Sequence, residues 1–150
     1  MAMAPHYRRP DWFTKHLFNP AVAGMTRLGI SVAGSRVLEV PGRKSGAPRR
    51  TPVNLLELDR ERYLVAPRGN TQWARNLRAA GSGRLLVGRR SEAFTAGELA
   101  DEEKVPVLRG YLRRWKWEVG MFFEGVGPDS TDEELRRIAP RHPVFRIRGA

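Results

Sequence analysis

The chain has 150 residues, a formal net charge of +11 at pH 7 and no cysteine. This length suits one domain with a substantial core, and we expect residues 1–150 to form one. The lack of cysteine excludes disulfides, thiolate metal ligands and a cysteine nucleophile, and it fits a cytoplasmic location. The charge favours anionic partners without selecting among them.

Residues 1–30 predict an N-terminal helical segment. Asp11 can cap a helix that runs to about Leu28, and Pro20 divides it into two pieces. No apolar run is long enough for a secretory signal or a convincing membrane span. Aromatic residues such as Trp12 lie near cations, which leaves a peripheral membrane contact open.

The rest of the chain predicts a sheet with a few helices. Strands are expected at 36–41, 51–58, 63–66, 84–89, 93–99 and 144–148, and helices at 71–80, about 101–122 and 130–139. The central part of the second of these helices carries an apolar stripe: Val105, Leu108, Leu112, Trp115, Val119 and Phe122. Consecutive strands joined by short turns favour an antiparallel sheet or small barrel with helices around it.

The most informative stretch is the basic segment 42–50. It contains two glycines, one hydroxyl and four cations: Gly42, Arg43, Lys44, Ser45, Gly46, Arg49 and Arg50. Glycine permits tight turns, and consecutive backbone N–H groups in such turns can bind anions. Arginine and lysine add contacts to phosphate or carboxylate. The segment therefore predicts a binding site for a polyanion, with a solvated basic hairpin loop as the alternative.

A second unusual stretch follows one hairpin later. On a helix at 71–80, Trp73, Asn76 and Leu77 share a face. The apolar pair is explained by core packing, whereas the amide of Asn76 must find hydrogen-bond partners. Arg68 and the helix N-terminus add anion-binding groups nearby.

Common catalytic patterns are missing from the sequence. The three histidines are scattered, so no metal site is expected, and no Gly-x-Ser-x-Gly, P-loop or Gly-x-Gly-x-x-Gly motif is present. No catalytic residue is assigned.

The two unusual stretches together resemble the deazaflavin-dependent nitroreductase family. The residues that carry the resemblance are Gly42-Arg43-Lys44-Ser45-Gly46, Arg49, Pro52-Val53, Ala66-Pro67-Arg68-Gly69 and Trp73-x-x-Asn76-Leu77-Arg78-Ala79. The resemblance covers residues 37–99 well and the rest in outline. It implies an α+β fold: an antiparallel split β-barrel, FMN-binding-like, with flanking helices. It also implies coenzyme F-420, a 5-deazaflavin with a phosphate and an oligoglutamate tail, and hydride transfer from it to an unsaturated or nitro-bearing small organic substrate.

The resemblance also implies roles for individual residues. The phosphate and tail would be bound by the basic segment, through Arg43, Lys44, Ser45, Gly46 and Arg49. The deazaflavin ring would lie between two groups of residues: Pro52 and Val53 on one side, and Ala66, Pro67 and Arg68 on the other. Trp73 and Asn76 would brace the floor of the pocket.

Substrate residues are less defined. Trp117, Met121, Phe122 and Phe123 predict either an apolar substrate wall or simple core packing. The region 115–124 lacks the tyrosines found in nitroimidazole-reducing members, which argues against nitroreduction. The alternatives are a related barrel binding FMN or haem, and a non-catalytic basic module binding an anionic ligand, nucleic acid or a membrane surface. No nucleic acid partner is expected, because no RNA- or DNA-binding signature is present. A monomer or a homodimer is expected.

Overall fold

The computed structural model describes residues 34–150, without the side chains of residues 117, 118 and 121. The strands are β1 Ser35–Pro41, β2 Pro48–Leu58, β3 Glu61–Val65, β4 Ser82–Val87, β5 Arg90–Glu98 and β6 Val144–Gly149. The helices are α1 Gln72–Ala80, α2 Val105–Val119 and α3 Asp132–Ile138. Single 3-10 turns lie at Asp101–Glu103, Gly120–Phe123 and Ala139–Arg141.

The six strands close into a barrel in the order β1-β2-β3-β6-β5-β4, and every neighbouring pair is antiparallel. Three of the six pairings join strands that are connected by a short turn, which makes the pair antiparallel. The predicted antiparallel barrel with flanking helices is thereby confirmed.

The barrel interior is one of two apolar clusters. Alternate residues of β1, Leu38 and Val40, point inward and are almost fully buried. Ala74 and Leu77 of α1 join the same cluster, with no exposed surface at all. Helix α1 is therefore fixed to the barrel by core packing.

The second cluster lies outside the barrel, where α2 covers β2 and β3. The predicted stripe is confirmed as a buried face, because all six of its residues lie in this cluster. Five of them lie on α2, which ends at Val119, and Phe122 lies in the 3-10 turn that follows. The helix is interrupted at Trp115, which has φ −125° and ψ 16°. This cluster holds the helical layer on the barrel.

Strand β2 begins earlier than predicted. The expected start was residue 51, but Arg49 and Arg50 already pair with Val40 and Glu39 of β1. The first three residues of β2 are all exposed, so no apolar alternation marks them as a strand. Two cations of the basic segment are thus held on a strand.

Within residues 34–150, no helix combines the length and the apolar character that crossing a membrane requires. The predicted N-terminal helical segment, and the membrane contact proposed for it, lie outside the described residues.

Helix α1 is also tied to the barrel by an ion pair. Arg78 donates two hydrogen bonds to Glu98 of β5, from Nε to Oε1 at 2.6 Å and from Nη2 to Oε2 at 2.8 Å. These hydrogen bonds hold the pKa of Glu98 below its ordinary value. The pair therefore contributes stability above the pKa that Glu has in the unfolded chain, about 4.3, and loses it as the pH falls through the lower folded pKa.

We expect Glu98→Gln to lower the free energy of unfolding by about 0.5 kcal/mol at pH 7, a modest loss because the pair is partly exposed. The difference from wild type should be smaller at pH 3, because the folded carboxyl loses its charge as the pH falls through its lowered pKa. Urea unfolding at the two pH values measures this, with exposed Glu102→Gln as the control. An equal loss at both pH values would show that the ion pair is not the cause.

Candidate functional site

The turn between β1 and β2 is closed by its own hydrogen bonds. The N–H of Gly42 donates to the carbonyl of Ala47, and the N–H of Gly46 donates to the carbonyl of Gly42, both at 2.8 Å. Gly46 has a φ of 75°, which a residue with a Cβ adopts only with strain. The Ser45 hydroxyl accepts from the N–H of Ala47 at 3.2 Å. The turn is therefore an ordered structure although it is exposed.

These bonds reduce the number of backbone N–H groups in the turn that could bind an anion. Four N–H groups of the turn already donate within the protein, those of Gly42, Arg43, Gly46 and Ala47. Among the described residues, the N–H groups of Lys44 and Ser45 have no such acceptor. Any backbone contact to a ligand from the interior of this turn would come from these two.

The two arginines that follow the turn point to opposite faces of β2. Arg50 lies on the outer face, where its Nε donates to Glu39 at 2.8 Å. Arg49 lies over the turn instead: a Cβ built on Gly42 would be 3.3 Å from both Arg49 Nε and Ser45 Oγ. Strand alternation thus assigns Arg49 to the site and Arg50 to an outer ion pair.

Helix α1 holds Arg43, a cation within the turn. The backbone N–H of Arg43 donates to Asn76 Oδ1 at 3.1 Å. The guanidinium Nη1 donates to the same oxygen at 2.9 Å and to Gln72 Oε1 at 2.7 Å. The structure therefore brings together the two predicted stretches, and it adds Gln72, which sequence reasoning missed. The signal was its spacing of four residues from Asn76, which places both amides on one helical face.

The cations on and beside the turn have no acidic partner among the described residues. Arg43, Lys44 and Arg49 form no ion pair within residues 34–150, whereas seven other cations in that range do. Among these residues, Arg43 donates only to the neutral side chains of Asn76 and Gln72, so no carboxylate of this range cancels its charge. Three positive charges on and beside one turn are therefore available to an anion.

The segment between β3 and α1 carries three more of the predicted residues. Ala66 and Pro67 are buried and Arg68 is half-buried. The N–H of Ala66 donates to the carbonyl of Pro143 at 2.9 Å, and Gly69 adopts a φ of 99°. The segment is thus anchored at its start and turns sharply into α1.

The residues predicted to contact the deazaflavin ring differ in what they expose. Val53 and Ala66 belong to the barrel core, at 5% and 0% exposure, so Val53 offers a ligand very little surface and Ala66 offers none. Pro52 is half-buried, as is Trp73, whose ring packs 6.1 Å from that of Phe145. Trp73 thereby rests on the core and keeps part of its ring exposed.

The predicted substrate wall is only partly described. Phe122 and Phe123 lie in the core beneath α2, at 4% and 0% exposure, and Phe123 stacks on buried His142 with ring centroids 4.2 Å apart. Core packing, one of the two predicted alternatives, is what the structure shows for them. Apolar periodicity alone cannot separate a core face from a pocket face. The side chains of Trp117 and Met121 lie outside the described structure.

An open cleft of about 410 Å³ borders the basic turn. Gly46 and Pro48 line it, together with Arg84 and Phe94. Within residues 34–150, no three His, Asp or Glu side chains lie close enough to hold a metal ion.

Several solved structures have a fold similar to that of this chain. One similar structure is a domain-swapped dimer: TM-score 0.57, 19% identity, covering 92% of this chain and 98% of that one. Another is an F420-H2 dependent reductase: TM-score 0.53, 20% identity, covering 77% and 94%. A third is general stress protein 26 from Bacillus anthracis: TM-score 0.52, 11% identity, covering 85% of each chain. These likenesses establish the fold alone.

The sequence itself places the chain more closely. No curated protein matches it. Residues 21–117, well over half of the chain, match a family described as F420H(2)-dependent quinone reductase. The predicted dependence on F-420 is thereby confirmed, while the nitroreductase family is not the one that matches. The chain belongs to the F420H(2)-dependent quinone reductase family, whose cofactor is coenzyme F-420.

Proposed function

We propose that this protein uses reduced coenzyme F-420 to reduce a small quinone. The observation that carries the proposal is a set of three cations, Arg43, Lys44 and Arg49, which have no acidic partner among residues 34–150 and lie on and beside a turn ordered by its own hydrogen bonds. It lies within the part of the chain that matches the family.

The residues present suit the cofactor. A phosphate and an oligoglutamate tail carry several negative charges, and the turn offers two exposed cations, Lys44 and Arg49, with two backbone donors beside them. The barrel and α1 add apolar surface nearby, including the exposed part of Trp73. A charged tail and a planar ring thus find two different kinds of surface on this protein.

The chemistry divides between cofactor and protein. The bound cofactor supplies the hydride. The side chains of Lys44 and Arg49 bind the anionic end, and the exposed parts of Pro52 and Trp73 orient the ring. Reduction of a quinone to a hydroquinone needs a hydride and a proton, and water can supply the proton, so no acidic side chain has to be assigned.

The proposal is tested with purified protein, coenzyme F-420 and three acceptors. Fluorescence titration should show binding at micromolar concentration or tighter. With reduced cofactor, menadione should be reduced at least about tenfold faster than a nitroimidazole or cyclohexenone, a difference of about 1.4 kcal/mol in barrier. Oxidation of the cofactor at 420 nm gives the rates.

Two controls separate this reaction from others. NADPH with FMN replaces F-420 in one, and protein is omitted in the other, because quinones accept hydride without catalysis. Cofactor binding with faster reduction of the enone or the nitro compound would keep the reductase and exclude the quinone preference. No binding of F-420 would overturn the proposal.

A further inference from the structure

Arg43 is held at two points by the same helix. Its backbone N–H and its guanidinium both donate to Asn76 Oδ1, and the guanidinium also donates to Gln72 Oε1. These contacts span 33 and 29 residues of sequence, so they are tertiary contacts and not part of the turn. The turn is therefore positioned by α1 as well as by its own hydrogen bonds.

The amide that receives two of these bonds cannot move freely. Asn76 is 5% exposed, and its neighbours Ala74 and Leu77 have no exposed surface in the barrel core. The ion pair of Arg78 with Glu98 fixes the same helix to β5. Asn76 Oδ1 is thus a fixed acceptor, and it sets where Arg43 and the turn lie relative to the barrel.

The chemical type of the acceptors matters as much as their position. Elsewhere in the described structure, arginines such as Arg50, Arg62 and Arg78 are held by carboxylates. A carboxylate would hold Arg43 more strongly, but its charge would cancel that of the guanidinium at about 3 Å. An amide oxygen accepts the same hydrogen bonds and leaves the positive charge in place.

We infer that Gln72 and Asn76, the amide pair, are positioning residues for anion binding: they order the basic turn through Arg43 without neutralising it. This inference rests on the proposed function, because a bound polyanion is what makes the retained charge useful. It assigns Arg43 an anchoring role, and leaves direct contact with the anion to Lys44 and Arg49.

The positioning role is tested without any cofactor, by limited digestion with trypsin. Asn76→Leu removes the acceptor, and cleavage after Lys44 should become about tenfold faster than in wild type, as expected when about 1.4 kcal/mol of local stability is lost. The separate variant Asn76→Asp keeps an acceptor oxygen at the same place, so its cleavage should stay as slow as in wild type. Mass spectrometry of the fragments identifies the site of cleavage.

The charge role is tested by measuring F-420 binding to variants of Gln72. This residue is exposed, so its substitutions leave the core intact. Gln72→Glu should weaken binding of F-420 about fivefold at low salt, the effect of about 1 kcal/mol of cancelled attraction. Gln72→Ala, which loses one hydrogen bond but no charge, should weaken it about twofold. The loss in Gln72→Glu should shrink as salt is added, since salt screens exposed charges.

The matched control is Asn70→Asp, which introduces the same negative charge at the start of the same helix. Asn70 is exposed and accepts from Arg78, not Arg43. This variant should bind F-420 within about twofold of wild type. If Asn70→Asp and Gln72→Glu lose affinity equally, the effect is general charge and the amide pair has no special role.

Other outcomes are also decisive. Slow cleavage of Asn76→Leu at Lys44, or binding by Gln72→Glu as tight as by Gln72→Ala, would overturn the inference. If Asn76→Leu does not fold, the Gln72 variants decide alone. If wild type binds no F-420, the proposed function fails, and titration of the same variants with inorganic tripolyphosphate by calorimetry still tests the amide pair.

Discussion

Replacing Lys44 and Arg49 together with alanine is expected to weaken binding of coenzyme F-420 about 100-fold. Both side chains are exposed, and neither forms an ion pair within residues 34–150. A hydrogen bond from a cation to a phosphate or carboxylate contributes about 1.5 kcal/mol, so two lost contacts amount to about 3 kcal/mol. Fluorescence titration of the cofactor at fixed ionic strength measures the change.

The control is the double variant Arg89→Ala with Arg90→Ala. It also removes two positive charges, but from the β4–β5 turn, where both residues are exposed. Because Glu39 pairs with Arg84 and Val37 with Leu86, that turn lies at the opposite end of β1 from the basic turn. Its affinity should stay within about threefold of wild type, since distant exposed charges are screened. An equal loss in both double variants would contradict a local binding site.

Gly83→Ala is expected to destabilise the barrel by about 1–3 kcal/mol, the usual effect of overpacking a tight core. A Cβ at this position would lie 2.9 Å from the carbonyl oxygen of Glu39, 2.9 Å from Val40 Cγ1 and 3.0 Å from Phe94 Cζ. The first of these atoms is backbone of β1 and cannot rotate away. Relief therefore requires β4 to shift against β1, which their pairing resists.

Gly97→Ala serves as the control for Gly83→Ala. Gly97 also lies in a strand, neither glycine has a positive φ, and a Cβ on Gly97 would meet nothing within 4 Å. Alanine there should be neutral or slightly stabilising, because the unfolded chain loses freedom. Urea unfolding of both variants measures the difference, with the m-value as a check on two-state behaviour. Equal stability of the two variants would show that the barrel can relax around residue 83.

The barrel and its helices could be predicted from particular residues. Inward-facing Leu38 and Val40 follow the alternation of a strand. The stripe on α2 follows helical spacing, and all of it is buried. The early start of β2 could not be predicted, because Arg49 and Arg50 are held there by pairing with β1 and carry no apolar pattern of their own.

For the candidate site, the segments that form it could be predicted from the sequence, but the contacts between them could not. The isolated polar residue on an apolar face, Asn76, indicated that it needs a partner, and the structure supplies Arg43. The partner itself could not be deduced, because a contact across 33 residues has no local signal in one sequence. The same limit applies to Phe123: its spacing fits a core or a pocket, and only the packing on His142 distinguishes them.

Each of the six described strands is paired on both sides, so their ring presents no free strand edge. Open edges are where chains add to one another as extra strands, the route to many β-aggregates. A second copy of this protein would therefore have to associate through side-chain surfaces, or by exchanging a segment that restores every pairing. Closing the ring is also costly in chain entropy, because β3 pairs with β6, and Arg62 and Ile147 lie far apart in the chain. The same closure that protects the folded protein from aggregation thus exposes unpaired strands for longer while the chain folds.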